Sequence, residues 1–423
     1  MSQGRDKVSI SIEGLVSQLG NPTQSKPTIF EVDDRLRQVN VKDYEPEIIS
    51  IGPIHRGKDH VKSMEQHKVR YLQQILEKRA DLSLDIFVKK LRESEENARK
   101  YYSTSLNLNT DKFVEMLLLD GCFVIQLIRT YFFDGKADND PVFESETLSQ
   151  IRHDLMLFEN QLPFFVLNQL FDMTKTGNPD DNLCHLVLFL VEDMFPWSDV
   201  SKLDPDPHPD HLLGLVYQCF SPFSTKTPSK TKGRKGKKSA AVHINSASEL
   251  KEAGIRLKGS EEKRLTFEGR VLKFPPLQVS GKTESLLRNV MAYEQLRLND
   301  NHPKHVTDYT FFMHCLIRST KDIEILRRSG IISNYLGGDD KIYDMFHRLG
   351  TNFLRSSEFY YSDVFESLNT HCGRRLNKWM ANLRRNYFNS PWSMIKFVAA
   401  TMLLLLTLAQ TVFSILSFKY RKT

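Results

Sequence analysis

The sequence predicts a mainly α-helical protein: a large multi-helix globular body with one small β-hairpin, a disordered basic insertion and a C-terminal transmembrane helix. Three observations carry that prediction. Segment after segment places apolar residues three and four positions apart with charged residues between them, the pattern of helices that face a core. Only residues 265–274 read convincingly as paired strands. From residue 397 to residue 418 the chain runs 22 residues without a charge.

Residues 1–26 are polar, with Pro22 and Pro27 interrupting any regular element near their end, and are expected to form a flexible arm. Residues 27–223 form the helical N-terminal part of the body. Within it, 36–57 holds Pro46, Gly52, Pro53 and Gly57 around Ile48, Ile49 and Ile51, an extended segment that ends in turns. Amphipathic helices are predicted over 61–77 and 84–101. Asp111 is placed to cap a helix over 113–133 that is apolar on nearly every side and therefore central. A further helix is expected over 148–161, and Pro163 suits the first position of a helix over 163–173.

Residues 224–245 are a basic insertion with too few apolar residues to repay the entropy of ordering, hence expected to be disordered. Residues 246–390 form the helical C-terminal part: a short helix at 248–253, the hairpin 265–274 turning at Glu268-Gly269 and closed by Pro275-Pro276, then helices over 285–298, 309–319, 322–328, 341–349 and 361–387. Residues 391–418 supply interfacial residues and the transmembrane helix, with its core at 397–418, and 419–423 is a short basic tail.

Composition excludes whole classes. At 40% hydrophobic, 26% charged and 10% aromatic, 423 residues are neither collagen-like nor low in complexity. The net charge of +6 sits in two places: 224–242 holds seven basic residues and no acid, and 367–423 holds nine and no acid, which leaves the rest at −10. A basic, nucleic-acid-binding body is therefore not expected. Five scattered cysteines without a C-x-x-C pair argue against a disulfide framework, and there is no N-glycosylation acceptor.

The uncharged run makes about 33 Å of helix, which matches a hydrocarbon core. Trp392, Phe397, Gln410 and Phe418 mark this anchor from its interfacial start to its end. The N-terminus lacks a signal-like apolar stretch, so insertion is expected to wait for the tail. Six basic residues between Arg374 and Lys396 precede the span and three follow it, a bias that keeps the body on the cytoplasmic side. Gln410 lies near the bilayer midplane and would seek a partner there, so a homodimer through the tail is expected as an option, the other being a bond from this amide to its own helix backbone.

Catalytic signatures are thin. Gly281-Lys282-Thr283 resembles the end of a phosphate loop, but Pro276 stands where that loop needs glycine. His208 and His211 with Asp204, Asp206 and Asp210 are metal-ligand types spaced by prolines in one loop, without a scaffold to aim them. His314-Cys315 and His371-Cys372 are adjacent on helices and point about 100° apart, too divergent to share a proton. No cofactor is expected. Glu115, Asp120 and Glu159 lie within apolar helices, where a carboxylate needs a partner or a function. With His67, Arg70, Asn160 and Gln161 they define a candidate buried polar network, for which Lys68, Arg129 and Arg152 are further basic partners on offer. Glu159-Asn160-Gln161 also reads as a helix end whose polar groups satisfy free backbone. In the insertion, Lys226, Lys230, Lys232, Arg234, Lys235, Lys237 and Lys238 are lipid-contact candidates beside an anionic leaflet; a plain linker or a nuclear-import signal are the other readings.

Six blocks resemble the plant family known as domain of unknown function 247. They are VNVKDYEPEIISIGPIHRG (39–57), MEQHKVRYL (64–72), FVEMLLLDGCFVIQL (113–127), DLMLFENQLPFFVL (154–167), ESLLRNVMAYEQ (284–295) and the tail from NSPW to SILSF (389–418). The resemblance covers residues 28–418 and implies a mostly helical body with a C-terminal span and no established activity. Some members of that family are implicated in self-incompatibility and others in defence or growth. Where the family pattern has an aromatic and a second histidine around His55, this chain has Ile54 and Arg56. The expected role is a membrane-held recognition or signalling component acting through an unidentified protein partner. The alternative is an enzyme with an unfamiliar acid/base site around Glu115, Asp120 and Glu159.

Overall fold

The computed structural model describes residues 27–79, 81–135, 140–194, 208–219, 245–261, 265–297, 304–351, 359–373 and 391–420. In chain order the helices are α1 (Asp34–Arg37), α2 (Glu65–Lys78), α3 (Leu84–Arg99), α4 (Thr110–Arg129), α5 (Ser145–Asp154), α6 (Phe164–Met173), α7 (Leu183–Val191) and α8 (Leu212–Cys219). They continue as α9 (Ala247–Glu252), α10 (Thr283–Arg297), α11 (His305–Leu316), α12 (Thr320–Arg328), α13 (Asp339–Thr351), α14 (Ser362–Gly373) and α15 (Pro391–Tyr420). The strands are β1 (Arg256–Gly259), β2 (Thr266–Glu268), β3 (Val271–Phe274), β4 (Leu277–Val279) and β5 (Ile332–Asn334). The protein is mainly α.

Two compact units emerge. The first comprises Met1–Phe195, Val200–Cys219 and Ser285–Asn299, so most of α10 belongs with α1–α8. Its centre is α4, against which α2, α3, α6 and α7 pack. The apolar run predicts a central helix, and nearly every residue from Phe113 to Arg129 is buried, Glu115 and Leu119 excepted. Its N-cap is Asn109, whose side chain accepts from the Lys112 amide at 2.8 Å, rather than Asp111, which falls in the first turn. The amino-acid pattern does not announce α7 and α8, because segments such as LCHLVLFLV are apolar on all sides and show no period.

The helix expected over 148–161 stops at Asp154. Side chains stop it: Asn160 donates to the Asp154 carbonyl at 2.9 Å, and Gln161 donates to those of Leu155 and Leu157 at 2.8 and 2.7 Å. Carbonyls at a helix end need such donors, and here two amides supply them.

The second unit comprises Pro196–Asp199, Phe220–Glu284 and Asp300–Thr423. The hairpin of β2 and β3 is antiparallel, with Thr266 opposite Lys273 and Gly269 at φ 64 in its turn, a left-handed backbone that glycine accepts. β1 pairs parallel to β3, giving the order β1-β3-β2. A second sheet, β4 parallel to β5, goes beyond the single hairpin expected, since three residues are too few to show alternation. α11 packs on α13, α9 and α13 pack on α12, and α14 lies against β2. α14 ends at Gly373, so the remainder of the helix expected over 361–387 lies outside the described residues, as does nearly all of the basic insertion. All five cysteines are free thiols.

Candidate functional site

The first unit contains a segment that is almost entirely without secondary structure yet well enclosed, residues 43–57. Buried backbone donors and acceptors must be paired, and no strand pairs with these. Side chains from four helices and the loop after α5 do the work. Asp154 accepts from the amides of Glu47, Ile48 and Ile49 at 2.9, 2.9 and 3.0 Å. Asn160 accepts from Ile51 at 2.6 Å and donates to the Ile49 carbonyl at 3.0 Å. Lys68 on α2 donates to the Ser50 carbonyl at 2.5 Å, and Asp120 on α4 accepts from Gly52 at 2.8 Å. Ser285 and Asn289 on α10 both donate to the Asp43 carbonyl at 2.7 Å. Gly52 is fixed by geometry: its φ is +80, and a Cβ there would lie 2.5 Å from the Gln161 carbonyl oxygen.

Ion pairs complete this interior. Lys68 sits 2.7 Å from Asp120 and 2.6 Å from Glu65, and Arg288 reaches Asp43 at 2.9 Å. Glu159 takes the Val32 amide at 2.5 Å and the guanidinium of Arg37 on α1, with His55 Nε2 at 3.0 Å from its other oxygen. Burial holds the Asp120 carboxyl above its usual range, against the pull of Lys68. Burial likewise pushes the Tyr44 phenol up to about 12, with Arg288 opposing. Asp120, Asp154, Glu159, Asn160 and Gln161 are fully buried and engaged with backbone or cations. Proton transfer at Glu159 would have to break the Arg37 pair and open a path to solvent. As it stands, the arrangement clamps an irregular segment to α2, α4, α5 and α10.

Three of the sequence candidates stand outside this interior. Glu115 is exposed, 2.8 Å from Lys112 and 3.8 Å from Arg56. Five residues on, Asp120 lies about 140° further round the helix, so the two cannot share a face. On α2 the inward group is Lys68; Arg70 is exposed and His67 half-buried, each displaced round the helix from Lys68. Lys68 is among the basic partners the sequence offers to these carboxylates, and it pairs with Asp120; sequence reasoning did not place Arg37, Asp43, His55, Asp154, Arg288 and Asn289 in this network. Its available signal was position: all but Arg37 lie inside the blocks 39–57, 154–167 and 284–295.

The other candidates scatter. Asp210 is taken by Arg297 at 2.9 Å, and His211 is buried with its Nδ1 accepting from Gly214 at 3.1 Å, while Asp204 and Asp206 lie outside the described residues. His314 Nδ1 meets the Phe346 carbonyl at 3.2 Å. In the second unit an open groove of about 510 Å³ is lined by Phe267, Gly269, Asp363, Glu366, Ser367, Thr370 and His371 and could receive a cationic group. Lys226, Lys230, Lys232, Arg234, Lys235, Lys237 and Lys238 lie outside the described residues. Trp392, Phe397, Gln410 and Phe418 all fall within α15, which is long and apolar enough to cross a membrane and whose apolar window in Ile395–Ile415 is not buried among the described residues.

Fold and site together define a helical protein with a clamped polar interior and an exposed apolar C-terminal helix. Residues 29–406 match the family described as plant protein of unknown function, DUF247, and the chain belongs to it. It is similar to the UPF0481 protein At3g47200 of Arabidopsis thaliana, 29% identical over 414 residues that cover 92% of this chain and 86% of the relative. It is also similar to the putative UPF0481 protein At3g02645 of the same plant, 22% identical over 478 residues that cover 90% of this chain and 89% of the relative. No solved structure matches it.

Proposed function

We propose that the protein is a single-pass, membrane-anchored recognition or signalling component that works through contacts with a protein partner, its body on the cytoplasmic side. The observation that carries this reading is α15: over Ile395–Ile415 a helix of spanning length offers apolar side chains that none of the described residues covers. The excess of Lys and Arg before the span supports the orientation. A binding role draws support from the interior, where Asp120 and Glu159 serve as structural acceptors rather than as groups open to a substrate. The basic stretch 226–238 adds attraction to anionic lipid at about 1 kcal/mol per basic residue near the surface.

Alkaline carbonate tests the anchor. The full chain should stay with the membrane pellet, whereas the Leu405→Arg, Leu408→Arg double variant should be released, since each charge at a helix centre disfavours insertion by about 2.5–3.5 kcal/mol. Release of the unaltered chain would end the reading. Proximity labelling from the inserted protein should then mark cytoplasmic proteins; labelling confined to the opposite side of the membrane would reverse the orientation.

A further inference from the structure

α15 gathers its small and polar residues on one side. Ala400, Thr407, Gln410, Ser414 and Ser417, with Leu403 filling the series, recur at alternating steps of three and four, the spacing that holds one helix face toward a partner helix along its length. The remaining faces are Leu, Val, Ile, Phe and Met, apart from Thr401, Ala409 and the flanking Ala399 and Thr411. The threonines need nothing further. Thr401, Thr407 and Thr411 donate their hydroxyls to the carbonyls of Phe397, Leu403 and Thr407 at 2.8, 2.5 and 2.7 Å. Gln410 differs, because its amide has no partner among the described residues. In hydrocarbon an amide without a partner is costly, and water is not at hand to supply one.

We propose that α15 pairs with α15 of a second copy of this chain, side by side and parallel, with the Gln410 amides bonded to each other across the two-fold axis. The proposal rests on the membrane-anchored reading of α15. An amide carries both donor and acceptor, so each Gln410 gives an N–H to the other's carbonyl and receives one in return. Two copies inserted in the same sense place residue 410 at the same depth without further adjustment, whereas another protein would need a matching polar group at that level. Ala400, Ser414 and Ser417 are small enough to let the backbones come close along the same seam.

The test uses two differently tagged full-length copies in one membrane, washed with carbonate, solubilised in mild detergent and captured by one tag. The second copy should be recovered with the unaltered chain. Gln410→Leu in both copies should cut that recovery about five- to thirtyfold. Ser414→Ile, which overfills the seam, should cut it too, while Leu405→Ala on the opposite face should leave it unchanged. Undiminished recovery with Gln410→Leu, in membranes that still retain the protein after carbonate, overturns the pairing and leaves the anchor standing. Equal losses with Leu405→Ala, or capture of other proteins in place of the second copy, also overturn it. Loss of both copies in the carbonate wash removes the anchor and the pairing together.

Discussion

Among the described residues two helical stretches are long and apolar enough to cross a membrane, and they have opposite surroundings: the apolar window of Thr110–Asp134 is 78% buried by protein, and that of Ile395–Ile415 is not buried at all. Length and oiliness do not separate them. Their polar residues do. The α4 stretch carries Asp120 paired with Lys68, and Arg129 paired with Asp181 at 2.9 Å, each bond reaching another part of the first unit. α15 has no ionisable group between Lys396 and Lys419, and its threonines bond only to their own backbone. An apolar helix whose charges are answered by distant residues is a core helix; one that carries no charge, and whose threonine hydroxyls are answered within itself, is fitted to lipid.

The contrast predicts that α4 is held by its charges. Lys68→Met should cost about 3–5 kcal/mol of stability, because it leaves the Asp120 carboxylate buried without its cation. Adding Asp120→Asn should recover much of that loss, since an amide oxygen can still accept from Gly52. Urea unfolding of the full chain in detergent measures both. A single variant within about 1 kcal/mol of the unaltered protein would mean that α4 does not depend on this pair.

Acid should separate the two helices next. Burial pushes the His211 imidazole down to about 4, and that of His305 down to about 4. The unfolded chain takes up these protons near pH 6.5 and the folded one only near pH 4. Stability therefore is fully present above about pH 6.5 and is lost as pH falls toward about 4, on the order of 2–4 kcal/mol for each histidine. Retention in membranes through α15 should stay flat over the same range. His211→Gln should flatten part of the stability slope. A body whose urea midpoint does not move between pH 7 and pH 5 would contradict this account of the interior.

Much of this contrast is legible in the order of the amino acids alone. α15 and α4 announce themselves as apolar runs, and the hairpin by its turn at Glu268-Gly269. Glu159, Asn160 and Gln161 signal a helix end through polar groups crowded before a proline. What spacing does not reveal is who answers them. Arg37 lies 122 residues from Glu159, and Gly52 lies 68 from Asp120, so these pairs exist only once the chain is folded. Local pattern likewise misses the irregular segment 43–57, since its backbone partners are side chains rather than a neighbouring strand. β4 and β5 are joined across 55 residues from Leu277 to Ile332, beyond any local signal.

The smallest expected effect tests the finest distinction, the one between two carboxylates on α4. Glu115 and Asp120 look alike in the sequence, both set in one apolar run. Glu115 stands at the surface with Lys112 and Arg56 for company, and exposed pairs contribute from nothing to about 1 kcal/mol. Glu115→Gln should therefore change stability by no more than about 0.5 kcal/mol, in either direction. Added to Lys68→Met it should act nearly additively, because Glu115 reaches the Lys68–Asp120 pair only indirectly, through Arg56, which lies 3.8 Å from Glu115, approaches Glu65 at 3.9 Å and whose charge also acts on Asp120. A double variant far less stable than the two single effects combined would join the surface pair to the buried network, and the boundary between α4's outer and inner faces would have to be redrawn around Arg56.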